Sequence, residues 1–206
     1  MRWRVLLRPV HYFASSACLA QQTLAFRESP LLGAPNGARY SPFPAQRGSE
    51  VLTFGMHSSM KRVFEDVQTF GWHVVGVLPG SDGAPEFSFS VGFFETYDHP
   101  ELVIFGLPMQ VAHAIIGDCL VRIRQGAPFE AGQVRDDILK KHSIAVLPVD
   151  REFYADYLGT AIGFYAGTDF PALQLVWPDK GNYFPWHPEF DSAYAGSQVI
   201  LSVVAA

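Results

Sequence analysis

The chain has 206 residues, 49% of them apolar and 17% charged, with a formal net charge of −5 and two cysteines, Cys18 and Cys119. That length and apolar content suit one well-buried domain and exclude disorder over most of the chain. Two cysteines exclude a disulfide framework or a cysteine-rich zinc site and fit a reducing, cytoplasmic setting. No apolar run approaches the roughly 18 residues that a membrane span requires.

The charge is unevenly placed. Residues 1–55 carry six Arg and two Glu, a net of +4, and the remainder carries nine Lys plus Arg against eighteen Asp plus Glu, a net of −9. An acidic body has no electrostatic footprint for nucleic acid. The first 55 residues, with Arg2, Arg4, Arg8 and Arg27 ahead of any acid and a Pro, Gly, Ser and Ala-rich run at 28–50, read as an extension outside the fold. It is a start codon placed too early, with Met56 or Met60 as the true start, or a targeting segment, or an arm on the domain. The domain itself is expected over 56–206.

From Ser58 the pattern becomes regular. Met60, Val63, Phe64, Val67 and Phe70 recur at helical spacing, and Gly71 supplies the residue that ends a helix. Trp72 to Leu78 reads as a strand. Phe87, Phe89, Val91 and Phe93 alternate with Ser88, Ser90 and Gly92, which predicts a half-covered strand, and Leu102 to Phe105 a strand covered on both faces. Between these two strands, Glu95 to Pro100 reads as a polar loop. Pro108 opens a helix carrying Val111, Ile115, Ile116, Cys119, Leu120 and Ile123. Residues 127–141 read as loop with a helical turn at 136–140, and Ser143 to Val149 as a strand. Asp150 is placed to cap an aromatic helix running to Tyr165 and ended by Gly167. Ala172 to Trp177 is a strand, and Gln198 to Val204 a last strand or short helix. The order does not alternate as a doubly wound sheet would. It predicts an α+β domain, a mainly antiparallel sheet of five to six strands with about three packed helices.

The blocks Gly71-Trp-His-Val-Val-Gly-Val, Phe87-Ser-Phe-Ser-Val-Gly-Phe, His99-Pro-Glu-Leu-Val-Ile-Phe-Gly-Leu-Pro and Leu173-Gln-Leu-Val-Trp-Pro-Asp resemble the bacterial domain of unknown function DUF4262 over about residues 60–190. The resemblance implies no activity, since that family has none assigned, and it places residues 1–55 outside the domain. Family members often carry a Tyr-Thr pair where this chain has Phe89-Ser90.

Two function classes follow from the residues. In the first, a small molecule or a peptide binds in a groove floored by Ser88 and Ser90 and rimmed by Trp177, Asp179 and Trp186, the protein acting as a binding module or accessory protein. In the second, His99 performs acid–base chemistry with Glu95 and Glu101 beside it. The simpler alternatives are a histidine that only ties down a turn and aromatic residues that form a second small core. Both function classes place His99, Trp177, Asp179 and Ser90 around one cavity. No metal site is expected, because the histidines lack ligand spacing. No cofactor follows from the residues either. Phe89-Ser-Val-Gly-Phe93 followed by Pro100 to Phe105 has the shape of a flavin-reductase split barrel, without a basic cluster for the flavin phosphate.

Because the extension has linker composition and reversed charge, thermal melts of the full chain and of a Met56-start chain should coincide. A loss of several degrees on truncation would show that the arm packs on the core.

Overall fold

The computed structural model describes residues 58–203, residue 82 excepted; the extension expected at 1–55 lies outside them. The first helix, α1 (Ser58–Phe70), buries Val63 and Val67 and packs Met60 and Phe64 beside them, while Lys61, Arg62 and Glu65 face outward. Gly71 ends it in left-handed backbone, its N–H donating to the Val67 carbonyl at 2.8 Å. Three strands follow, β1 (His73–Val77), β2 (Phe87–Val91) and β3 (Glu101–Phe105). The link between β2 and β3 is not only loop: it forms a five-residue helix, α2 (Phe93–Tyr97), before turning at Asp98. Then come α3 (Met109–Arg124), a two-residue strand β4 (Val134–Arg135), and β5 (Ile144–Pro148). No helical turn forms at 136–140.

The expected aromatic helix is divided. A 3-10 turn (Arg151–Phe153) leads into α4 (Tyr154–Tyr157), the chain bends at Leu158 (φ −116°, ψ 29°), and α5 (Gly159–Tyr165) follows. Gly159 at the break is a poor helix former. The left-handed residue that ends α5 is Ala166 (φ 54°) rather than Gly167. The last strand is β6 (Ala172–Val176).

The strands form one sheet in the order β1-β2-β3-β6-β5-β4. Every neighbouring pair is antiparallel except β3 and β6, which run parallel with Glu101 opposite Ala172 and Ile104 opposite Leu175. The fold is thus α+β as expected, with a mixed sheet and more helices than the three the sequence suggested. The sheet is open, with β1 and β4 at its ends, so the split-barrel likeness is not realised.

Alternation sends the two faces of the sheet to two cores. Val75, Val77, Phe87, Phe89, Val91, Val103 and Phe105 meet α1, α4 and α5 on one face, and Val74, Leu102, Ile104, Leu173 and Leu175 meet α3 on the other. Ser88 and Ser90 fall on the α3 face and are buried there. Buried at 1% and 0% exposure, they floor no open groove. Gly76 on the neighbouring strand makes room for α3, since a Cβ there would stand 2.6 Å from the Met109 side chain.

The stretch 198–203 forms no strand. Both edges of β6 are already taken, by β3 and β5, so the stretch crosses the α1 face instead, burying Leu201 and packing Val199. Gln174 replaces the missing ladder: its amide nitrogen donates to the Val199 carbonyl at 2.6 Å, and its oxygen accepts from the Leu201 N–H at 2.8 Å. Asp150, expected to cap the aromatic helix, makes no side-chain cap and accepts from the Val203 N–H. Gln174→Ala leaves two backbone groups without partners in the core, each worth about 1–3 kcal/mol. Urea unfolding should therefore register a loss of about 3 kcal/mol.

Candidate functional site

Of the expected site residues, Ser90 and Glu101 meet at one end of the sheet, with His99 two residues ahead of Glu101 in the chain. The β2–β3 ladder stops at Phe89 opposite Val103, and beyond that point side chains replace backbone pairing. Ser90 Oγ accepts the Leu102 N–H at 2.9 Å and donates its own proton to Glu101 Oε2. Glu101 Oε1 accepts the N–H groups of Gly92 at 2.9 Å and Phe94 at 3.1 Å, and the hydroxyl of Tyr165 from α5. The Tyr165 oxygen in turn accepts from Gly92 N–H at 3.1 Å. The carboxylate is fully buried and meets four donors, which matches the acceptor capacity of a carboxylate. Gly92 is required here twice over. Its φ is 101°, and a Cβ would stand 2.8 Å from Val67 and 3.1 Å from the Gly71 carbonyl oxygen.

His99 is 2% exposed and lies between the rings of Phe93 and Phe129. Its Nδ1 donates to the Pro100 carbonyl at 2.7 Å, and its Nε2 accepts the Phe129 N–H at 2.9 Å. One neutral tautomer satisfies both bonds. Proton exchange with a substrate would require breaking one of them. The loop carrying Phe129 is held in place by Arg135, whose guanidinium lies 4.6 Å over the Phe129 ring and pairs with Asp137 at 2.8 Å. Glu95 is exposed on α2, and its backbone hydrogen-bonds the Tyr165 hydroxyl.

A second polar pair at the same end escaped the sequence reading. His73, on β1, places Nδ1 2.7 Å from Asp66 Oδ2 on α1. Helical and strand periodicity placed each residue, but nothing local shows that α1 brings Asp66 over the start of β1.

Trp177, Asp179 and Trp186 lie at the other end. Parallel register puts Glu101 level with Ala172, so Trp177 and His99 are separated along the sheet by on the order of 20 Å. The one-cavity arrangement of His99, Trp177, Asp179 and Ser90 does not occur. Trp177 is 9% exposed, and its indole N–H donates to the Phe105 carbonyl at 2.7 Å. Asp179 organises the loop after β6, accepting the N–H groups of Gly181, Tyr183 and Asp191 at 2.8–2.9 Å. On that loop Phe184 stacks with Trp186, centroids 5.0 Å apart, and Tyr183 with His187 at 4.4 Å. Trp186 is 45% exposed.

The family model for a domain of unknown function, DUF4262, matches residues 66–191. The chain belongs to that family. No curated protein and no solved structure matches it. The matched span of the DUF4262 domain contains Asp66, the Glu101 network and the aromatic loop as far as Asp191, so both ends of the sheet belong to the family domain.

Electrostatics at the polar end of the DUF4262 domain are dominated by burial. Burial pulls the His99 and His73 imidazoles below their ordinary range, with the Pro100 carbonyl and Asp66 opposing it in turn. Burial raises Glu101 despite its four donors, and the Tyr165 phenol beside it is raised as well. Cys119, on the buried side of α3, is pushed up to about 12 by burial and is held as an unreactive thiol. Asp179 is lowered, because three amide donors outweigh burial. Among the described residues no three His, Cys, Asp or Glu side chains converge as a metal site requires, and no helix is long and apolar enough to cross a membrane.

A raised Glu101 makes the folded state most favoured where that carboxyl is protonated. Its contribution is complete below the ordinary carboxyl value of about 4.3 and is lost as pH rises through the folded value. Glu101→Gln mimics the protonated acid. The stability difference between wild type and Glu101→Gln should therefore fall as pH rises from about 4.3, as read by urea titrations at several pH values. Glu101→Ala strands the four donors and should cost more than about 3 kcal/mol at any pH.

Proposed function

We propose that this domain is a binding module for a small molecule or peptide with a flat apolar face, and that contact is made by the aromatic loop after β6. The observation that carries this reading is Trp186. It is a large apolar ring, 45% exposed, held against Phe184 at an interplanar angle of 13° rather than left free. A ring fixed in advance loses little conformational entropy when a ligand stacks on its open side. Asp179 supplies the rigidity by tying Gly181, Tyr183 and Asp191 into one turn, and Trp177 anchors the loop to the sheet through Phe105. In this reading Trp177 and Asp179 are frame and Trp186 is contact. Ser88 and Ser90, covered by α3, support the sheet beneath. At the polar end Glu101 and His99 are buried with their hydrogen-bonding capacity engaged.

The test is a ligand-observed NMR screen using aromatic fragments, soluble oligosaccharides and proline-containing peptides, run on wild type and Trp186→Ala. The variant should unfold within about 0.5 kcal/mol of wild type, and a ligand should lose about tenfold in affinity, the scale of one aromatic stack. Absence of any ligand, or one that binds both proteins equally, overturns the proposal.

A further inference from the structure

The Asp66–His73 pair lies far from the aromatic loop and has no part in the binding reading above. His73 is 5% exposed, and its Nδ1 lies 2.7 Å from an Asp66 oxygen. A carboxylate only accepts, so the ring proton resides on Nδ1 and Nε2 carries a lone pair. That Nε2 is buried and meets no hydrogen-bond partner among the described residues. The neutral ring fits its site with one acceptor unmet. A protonated ring would add an N–H, with its share of the positive charge, where nothing receives it.

We infer that the Asp66–His73 pair is a proton-operated latch that holds the last turn of α1 on β1 when His73 is neutral and releases it on acidification. The elements around the ring favour this behaviour. From α1, Asp66 attracts the proton and Arg62 repels it; from α3, His113 repels it; on β2 the residue opposite His73 is Val91, which is apolar. Asp66 is itself partly exposed, its side chain 20% accessible, so water weakens its hold on a charged ring. The turn that would be released is already the least buried part of the helix. Gln68, Thr69 and Phe70 are exposed, Phe70 at 66%, and only Val67 anchors the turn in the core.

The sign follows from the neutral preference of the folded ring. Stability of the latch is present above the ordinary histidine value of about 6.5 and is lost as pH falls below it, by up to tenfold per pH unit for one proton. Hydrogen–deuterium exchange of a peptide covering α1, corrected for intrinsic rates, reads this directly, with a β6 peptide as the control for global opening. Wild-type α1 protection should fall by up to about tenfold between pH 6.5 and pH 5.5, with β6 unchanged. His73→Gln should show α1 protection independent of pH over that interval. Asp66→Asn removes the group that favours the charged ring, so its fall should continue to lower pH than in wild type. Protection that is flat with pH in wild type, or an identical fall in His73→Gln, overturns the inference and assigns any acid sensitivity to His99 or His113. If His73→Gln does not fold, Asp66→Asn decides alone, and a fall ending at the wild-type pH overturns it.

Discussion

One buried carboxylate determines how the centre of this sheet is built. Glu101 is the first residue of β3, at the point where β2 and β3 separate. Separation leaves backbone donors of Gly92 and Phe94 inside the protein, where an unmet donor costs about 1–3 kcal/mol. Glu101 receives both, and in doing so shapes the first turn of α2 and draws Tyr165 of α5 down onto the strand. Ser90 closes the remaining gap by standing in for a ladder bond to Leu102. Strand, short helix and covering helix therefore share a single acceptor. Glu101, which the sequence offers as part of an acid–base cluster, is in the structure the acceptor that lets two strands part without leaving their backbone donors unmet.

The molecule is consequently divided in its surface chemistry along the sheet. At the Glu101 end, polar groups are numerous and enclosed, and each of Glu101, Ser90 and His99 is bonded to backbone or to a neighbouring side chain. At the Trp177 end, polar groups bind the chain to itself, leaving rings at the surface. Asp179 and Gln198 illustrate this: the first closes the loop on its own amides, and the second pairs with both the N–H and the carbonyl of Trp177.

Periodicity made the strands and the long helices legible, because alternation and helical spacing are properties of neighbouring residues. β1, β2, β3, β5 and β6 fall within a residue or two of their expected bounds. What periodicity could not supply was anything fixed by a partner distant in sequence. α2 exists because of Glu101 from the following strand, and Ser90 was assigned to a groove because its covering helix, α3, comes later in the chain. The shared cavity failed for a related reason. A cavity joining His99 to Trp177 requires β6 to end near the start of β3, whereas the parallel register aligns the two starts. Local residues do not encode that direction. The apolar content of the last stretch is accounted for by the burial of Leu201 rather than by a strand, since both edges of β6 are taken by β3 and β5.

The parallel β3–β6 pair also sets the order in which such a chain can assemble. β1, β2 and β3 are joined by short connections and form a meander from contacts close in sequence. β4 and β5 likewise pair locally. The seam between the two groups joins Glu101 to Ala172, and the intervening chain must be gathered before its first hydrogen bond can form. Loop-closure entropy is therefore spent late and in one step, at the middle of the sheet rather than at its margin. Until that step, the apolar inner edges of both groups are exposed together. The sheet is thus completed across its middle by one pairing of high sequence separation, the kind of contact that slows folding.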